Sequence, residues 1–560
     1  MKRALYILLA LTVTLTATAA ERQRYIIGTK APSRIATQAM GGGWAERLAG
    51  RQIRTFNSIR AIAVDLTEQE VAELRGSGDV RYITPVTRIW LNDLGGIDLT
   101  PSANASPYES TQSIPWGIEA IHARDVWKVS KGDSTINVAV VDTGIDAQHP
   151  DIKHAIVGGY NAFKNVEEIP FDDHRHGTHV AGTIAAADNN IGVVGVAPNV
   201  RIWAIKVLDS HGNGSNEGLV AGVDWVVKKK AEVGGHWIMN LSLGGKGDDA
   251  QDEAFGRAIT SGMLVFAAAG NQGLPGLDYP ASFAGVFAVG ALDEAGDKIW
   301  FSNFGAGLTF MAPGVNVISS VPRGLAVVGD VVIPGDTRLN GVALRGSPKA
   351  DISGEFVDAG LGRVQDFPPG GIAGKVAIVK RGNDGSGMMY FREKVRNAKL
   401  AGAKAVVVVN DDDVNKNDLE TWTLILETCD PKGCTVEPEW KDYEYPLTIG
   451  ITQANGAKLL AQLGKGQVAV SHRNEDYAPL SGTSMSTPHA AGTAALAWAV
   501  APNATAEQMR NALILTSRDQ GEPGWDWETG YGTINAFAVA KYLNPAAFGL
   551  STPRRRGAQH

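Results

Sequence analysis

The chain has 560 residues, of which 44% are hydrophobic and 20% charged, and its formal charge is −7 at neutral pH. At roughly 100–200 residues per domain the length suggests about three to five compact units, and the composition excludes a disordered tail protein or a collagen-like repeat. The mildly acidic balance gives no electrostatic basis for binding nucleic acid or an anionic membrane.

The first residues read as an address rather than as structure. Met1-Lys2-Arg3 is positively charged, residues 4–16 are almost unbroken apolar sequence, and Ala17-Thr18-Ala19-Ala20 supplies small residues for cleavage. This is the form of a secretory signal peptide over residues 1–20, with an apolar core too short to span a bilayer. The mature protein is therefore expected to be soluble, outside the membrane, and secreted to the periplasm or the medium.

Residues 21–92 read as a small α/β unit, with strand-like stretches at 24–28, 59–66, 80–83 and 86–90. Between them, Thr67 to Glu70 fits the capping box T-x-x-E and predicts a helix running through Leu74 until Gly76 stops it. Residues 93–110, rich in Ser, Pro, Asn and Gly, have the composition of a linker. From residue 115 apolar strands (136–141, 202–208, 237–241, 263–269) alternate with helical stretches (179–187, 218–231). That alternation predicts a parallel sheet covered on both faces, with the active crevice beyond the carboxyl ends of its strands.

The texture changes near Arg323. Strands at 330–333, 376–380, 406–409 and 447–452, a helix at 391–401 and an acidic loop at 410–417 replace the earlier pattern, which resumes after Tyr477. The simplest account is a second domain, residues 323–477, inserted into a first one made of residues 111–322 and 478–545, since surface loops tolerate insertions at a closure cost that grows slowly with length. The two cysteines, Cys429 and Cys434, lie inside the insert and can close one small loop but not a disulfide framework. Residues 546–560, with Pro553-Arg554-Arg555-Arg556, read as a polar, solvated tail.

Three short motifs carry the chemistry. Val140-Val141-Asp142-Thr143-Gly144 ends a buried strand with a carboxylate; His176-Gly177-Thr178-His179-Val180-Ala181-Gly182 opens a helix with a histidine; Ser481-Gly482-Thr483-Ser484-Met485-Ser486-Thr487-Pro488-His489 opens another with a serine. A serine hydroxyl is a weak nucleophile until a neighbouring base takes its proton, an imidazole does this near neutral pH, and a buried carboxylate holds the imidazole's tautomer. Each residue alone has an ordinary structural reading as a cap, turn or core residue. Together, in the order Asp, His, Ser, they resemble the subtilisin-like serine peptidases, the subtilases. The resemblance runs from residue 111 to about 543 apart from the insert, and includes Asn240-Leu241-Ser242-Leu243-Gly244-Gly245, Ala268-Ala269-Gly270-Asn271 and Phe301-Ser302-Asn303-Phe304-Gly305.

The resemblance implies an α/β, three-layer fold with a mostly parallel sheet, accompanied by a small α/β propeptide domain and a β-rich insert. It implies that Asp142 orients His176, that His176 is general base and then general acid, and that Ser484 attacks the scissile carbonyl, with His179 a structural neighbour. Asn271 then corresponds to the side-chain oxyanion donor, whose loss in subtilisin itself costs about 10²–10³ in turnover. Ser242-Leu243-Gly244 and Gly212-Asn213-Gly214 look like the two edges that hold a substrate strand, through main-chain hydrogen bonds without sequence preference. Asp278 falls where the family's S1 floor lies; it is either an anionic floor favouring Arg or Lys at P1, or a residue that is simply solvated in its loop or binds a cation.

His174, His176 and His179 lie near Asp172 and Asp173, but their spacing does not resemble H-E-x-x-H. Calcium is the metal the resemblance implies: Gln112, Asp151, Asn189 and the carbonyls of Ala187, Ile191 and Val193 match the subtilase high-affinity site, and all offer oxygen ligands. No organic cofactor is expected. By the same resemblance residues 21–92 are an inhibitory propeptide and 93–110 the region of self-cleavage. The insert resembles a protease-associated (PA) domain through its stretches at 374–382 and 397–406, although Asn383-Asp384-Gly385 stands where members often carry a cysteine, so a disulfide between Cys429 and Cys434 stays open. The expected protein is a secreted, calcium-binding serine endopeptidase made as a precursor, with protein or peptide substrates and its own propeptide as partners. A transpeptidase or ligase on the same scaffold, and an inactive peptide-binding subtilase, are the competing readings.

Overall fold

The computed structural model describes residues 21–30, 48, 51–76, 78, 80–91, 112–344, 346–382, 389–410, 427–430, 433–436 and 443–550. The expected signal peptide, the linker at 93–110, most of the acidic loop and the end of the tail lie outside the described residues. The chain divides into two compact units, one ending at Val86 and one beginning at Thr87.

In the N-terminal unit a four-stranded antiparallel sheet has the order Gln52–Phe56, Ala61–Leu66, Gln23–Thr29, Val80–Pro85. The helix Glu68–Arg75 begins where the capping box predicts: Thr67 accepts from the Glu70 N–H at 3.2 Å and Glu70 accepts from the Thr67 N–H at 2.9 Å. Two of the donors a helix start leaves unpaired are thereby satisfied. Val71 and Leu74 of this helix join Tyr25, Ile27, Leu48, Ile62, Val64 and Leu66 in the unit's core.

The larger unit is built on a seven-stranded parallel sheet in the order Leu308–Pro313, Phe287–Leu292, Leu264–Ala268, His236–Leu241, Ile136–Asp142, Arg201–Lys206, Ile156–Asn161. All seven residues of the central strand Ile136–Asp142 are buried, because both faces are covered. Val138 and Val140 face a core that includes the helices His176–Ala185 and Thr483–Val500. Val141, pointing the other way, meets the helix Asn216–Val233 at Gly222. This is the three-layer α/β arrangement expected from the alternation of strands and helices. The segment expected as a tail from residue 546 starts with a 3-10 turn, Pro545–Phe548, whose Phe548 packs edge-on against Phe537.

The inserted domain holds an eight-stranded mixed sheet: Ala350–Gly354, Val468–Glu475, Ala326–Ile333, Thr337–Ala343, Leu447–Ile451, Ala405–Val409, Val376–Lys380, Phe356–Asp358. The helices Phe391–Leu400 and Gln453–Leu460 accompany it. Cys429 and Cys434 occupy directly opposed positions of a short antiparallel pair.

Where the insert leaves and rejoins the sheet domain, Val317–Ser320 pairs antiparallel with Tyr477–Leu480. Arg323, at the outgoing end, grips the buried carboxylate of Asp146 through Nε at 2.8 Å and Nη2 at 3.2 Å. Asp476, at the returning end, accepts the Gly324 N–H at 2.8 Å. His179 closes the root: its Nε2 donates to the carbonyls of Val317 at 2.8 Å and Ala478 at 3.1 Å, one on each strand.

His179 has no exposed surface, and burial, reinforced by the neighbouring His176, pushes its pKa down to about 3. His489, equally buried in the helix Thr483–Val500, is pushed by burial to about 4. In the unfolded chain both imidazoles titrate near 6.5, so between about pH 6.5 and pH 4 the unfolded state binds protons that the folded state refuses. Stability attributable to these two groups is complete above pH 6.5 and falls as pH falls through that window. Denaturant midpoints should therefore drop from pH 7 to pH 5, and His489→Gln should flatten the slope; an unchanged slope would contradict the assignment.

Candidate active site

Asp142 is the last residue of the central strand, at the carboxyl end of the sheet, and is fully buried. Its two oxygens lie 2.8 and 3.0 Å from Nδ1 of His176, which is itself buried at the start of the helix His176–Ala185. A carboxylate can only accept, so the pair places the proton on Nδ1 and leaves Nε2 as the ring's basic nitrogen. The Asp142 Oδ1 also takes the Thr143 N–H at 2.8 Å, which fixes the carboxylate's own orientation.

The turn after Asp142 and the helix of His176 approach closely. A Cβ on Gly177 would stand 2.2 Å from the Gly144 carbonyl oxygen, so only glycine fits there. Asp172, in the sequence no more than a neighbour of the histidines, holds this approach together. One of its oxygens accepts from the Thr143 hydroxyl at 2.8 Å and from the N–H groups of His174 and Arg175, both at 2.9 Å. The other accepts the Thr178 N–H at 2.9 Å and its hydroxyl at 2.6 Å. Arg175 has φ of 120°, a strained conformation for a non-glycine residue, immediately before His176. Its trace in the sequence is an acidic residue shortly before a helix start, a cap candidate.

Ser484 lies in the first turn of Thr483–Val500, where helix geometry and partial positive charge favour an anion. Its hydroxyl donates to the Ser242 carbonyl at 3.1 Å rather than to His176; such contacts commonly tighten only when substrate binds. Asn271 is held by its oxygen, which accepts the Thr483 N–H and hydroxyl, both at 2.9 Å. That leaves the amide's NH₂ as the end able to donate. His179, spent on two backbone carbonyls, takes no part in the pair.

Parts of the two expected cleft edges, Gly244 of 242–244 and Asn213-Gly214 of 212–214, pair with a strand. Arg88–Trp90 lies antiparallel between Asn213–Ser215 and Gly244–Gly245, with Ile89 opposite both Gly214 and Gly245. Leu91 adds an N–H bond to the Gly212 carbonyl at 2.9 Å. Ile89 is 1% exposed, and a Cβ on Gly245 would come within 3.0 Å of it. Of residues 86–90, expected among the strands of the small N-terminal unit, 88–90 pair instead with the Gly-rich edges at 213–215 and 244–245. Leu243 is buried behind its edge. Asp278 is half-exposed, donates its N–H to Ala269 at 3.0 Å, and keeps its carboxylate beside Gly270, next to Asn271.

The residues expected to hold calcium converge. The Gln112 amide reaches the carbonyls of Ala187 at 2.5 Å and Val193 at 3.0 Å. The Asn189 amide donates to Asp151 Oδ1 at 2.9 Å, and the Val193 N–H to Asp151 Oδ2 at 3.0 Å. The Ile191 N–H bonds the Asn189 side chain at 3.1 Å.

Comparison with known proteins agrees with this architecture. Residues 133–341 and 451–532 match the model of the subtilase family, and residues 349–459 match that of the PA domain. Subtilisin NAT of Bacillus subtilis subsp. natto is 35% identical over 308 residues, covering 54% of this chain and 74% of that protein. Subtilisin DY of Bacillus licheniformis is 44% identical over 216 residues, covering 38% and 76% respectively. Among solved structures, the subtilisin-like protease Apa1 of the Antarctic psychrotroph Pseudoalteromonas sp. AS-11 superposes with a TM-score of 0.55 at 30% identity, covering 79% of this chain and 100% of that one. A buried Asp–His pair, a helix-borne serine and two strand-gripping edges thus sit on a shared fold with a recognised insert, and the chain belongs to the subtilase family of serine peptidases.

Proposed function

We propose that this serine peptidase is an exported endopeptidase, made as a self-processing precursor, in which Ser484 is the nucleophile. The buried hydrogen bond between Asp142 and His176 carries the reading. His176 Nε2 takes the Ser484 proton as Oγ attacks the scissile carbonyl, and Asp142 stabilises the imidazolium that forms. The Asn271 NH₂ and the Ser484 backbone N–H receive the developing oxyanion at the helix start. His176 then gives the proton to the leaving amine, and water, activated by the same imidazole, releases the acyl group from Ser484.

The strand Arg88–Trp90 supports both the substrate class and the precursor form: the edges that would hold a protein substrate hold the chain's own leader segment. Export rests on residues 1–20. Ser484→Ala should lower protein hydrolysis by several orders of magnitude and leave the precursor uncut; equal processing and digestion by both chains would exclude Ser484.

Asp278 supports a preference for Arg or Lys at P1. With matched peptides the P1-Arg substrate should be cut about fivefold faster than P1-Leu or P1-Phe, the effect of about 1 kcal/mol from one partly screened ion pair. Equal rates for all three would remove Asp278 from the specificity pocket.

A calcium ion fits the cluster at Asp151. Turning over the Gln112 amide would present its oxygen beside the Ala187 and Val193 carbonyls it now satisfies, with the Asp151 carboxylate held at the same loop by Val193, an arrangement that only a cation makes favourable. When bound, the ion would tie residue 112 to the 187–193 loop. Chelation should lower the thermal midpoint of the mature protein, and Asp151→Asn should abolish the difference between chelated and calcium-supplied samples; a midpoint insensitive to calcium would argue against the site.

A further inference from the structure

The helix that carries Ser484 contains Pro488. An α-helical residue four positions on normally donates its N–H to the carbonyl behind it, and proline has none to give. The carbonyl so deprived is that of Ser484. It is met from outside the helix: the Ser242 hydroxyl donates to the Ser484 carbonyl at 2.7 Å. The contact is reciprocal, because the Ser484 hydroxyl donates to the Ser242 carbonyl at 3.1 Å.

The direction of the Ser242 hydroxyl is itself set. Asn240, fully buried near the end of the strand His236–Leu241, donates its side-chain amide to Ser242 Oγ at 3.0 Å. An oxygen already accepting there sends its own proton the other way, to Ser484. Both Asn240 and Ser242 have no exposed surface, so water does not substitute freely for either.

We propose that the Ser242 hydroxyl, aimed by Asn240, is a positioning residue that replaces the hydrogen bond Pro488 removes and so holds the backbone of the nucleophile. This rests on the reading of Ser484 as nucleophile. The held backbone carries two things the reaction needs: the angle from which Oγ leaves the helix and the N–H that faces the oxyanion. The hydroxyl's role is separate from the edge pairing of Gly244–Gly245, which uses main-chain groups alone. It acts on turnover, not on how a peptide is gripped.

The test is a double-mutant cycle on the full chain. Ser242→Ala, Pro488→Ala and the double variant are compared with the unaltered chain for kcat and KM on one peptide, and for the rate at which a fluorophosphonate labels Ser484, the site being confirmed by mass spectrometry. Ser242→Ala should lower kcat and the labelling rate about tenfold with KM within about twofold. With Pro488→Ala, residue 488 regains an N–H for the Ser484 carbonyl, and the same Ser242 substitution should then cost less than about threefold. An equal cost in both backgrounds, or a loss confined to KM, would overturn the proposal. Failure of both Ser242→Ala chains to accumulate while Pro488→Ala alone accumulates would overturn it too, by making the hydroxyl a general folding requirement. Absence of label on Ser484 in the unaltered chain would instead refute the nucleophile.

Discussion

A carboxylate kept out of water at the end of a central strand is the constraint on which the rest of the site depends. Asp142 is costly to bury as a charge unless its acceptors are filled, and they are filled by His176 and the Thr143 N–H. Satisfying Asp142 therefore forces the helix His176–Ala185 against the strand's end. Gly177 permits that approach, and Asp172 ties the turn after Asp142 to the first turn of the helix. The same burial that makes the charge expensive strengthens its hold on the imidazole.

The insert is attached without disturbing that geometry. Its two ends form an antiparallel pair, Val317–Ser320 with Tyr477–Leu480, so the sheet domain meets it as a closed hairpin rather than as two free ends. His179 lies one helical turn beyond His176 and clasps both strands of this pair. Arg323 returns the outgoing end to Asp146, a residue whose own N–H is held by Thr178 of the same helix. The helix that presents His176 is therefore also the element onto which the insert is fastened.

Much of this was legible in the sequence. Continuous apolar runs separated by helical stretches announced a parallel sheet covered on both sides, because burial on two faces removes the polar alternation a half-exposed strand would show. Thr67 and Glu70 announced a helix start that the structure realises bond for bond. The Asp142, His176 and Ser484 motifs were recognisable because glycine and small residues surround them for steric reasons. Other features left weaker traces. The strand Gln52–Phe56 alternates with Gln and Arg and lacks a strong apolar face. The composition of Arg88–Trp90 reads as a strand but does not say which edge receives it. The bond from Ser242 to Ser484 joins residues far apart in the chain, and only Pro488, a proline inside a helix, hinted that a carbonyl would need a partner.

The most direct test of the account is Asp142→Asn. A carboxamide in place of the carboxylate keeps the volume but offers an N–H donor to His176 Nδ1, which favours the tautomer unable to take the Ser484 proton at Nε2. The account predicts a chain with an unchanged thermal midpoint and KM and a kcat lower by about 10⁴, the loss that the same substitution causes in a serine peptidase of unrelated fold. A variant that keeps turnover within tenfold of the original chain would show that this buried pair does not drive the reaction.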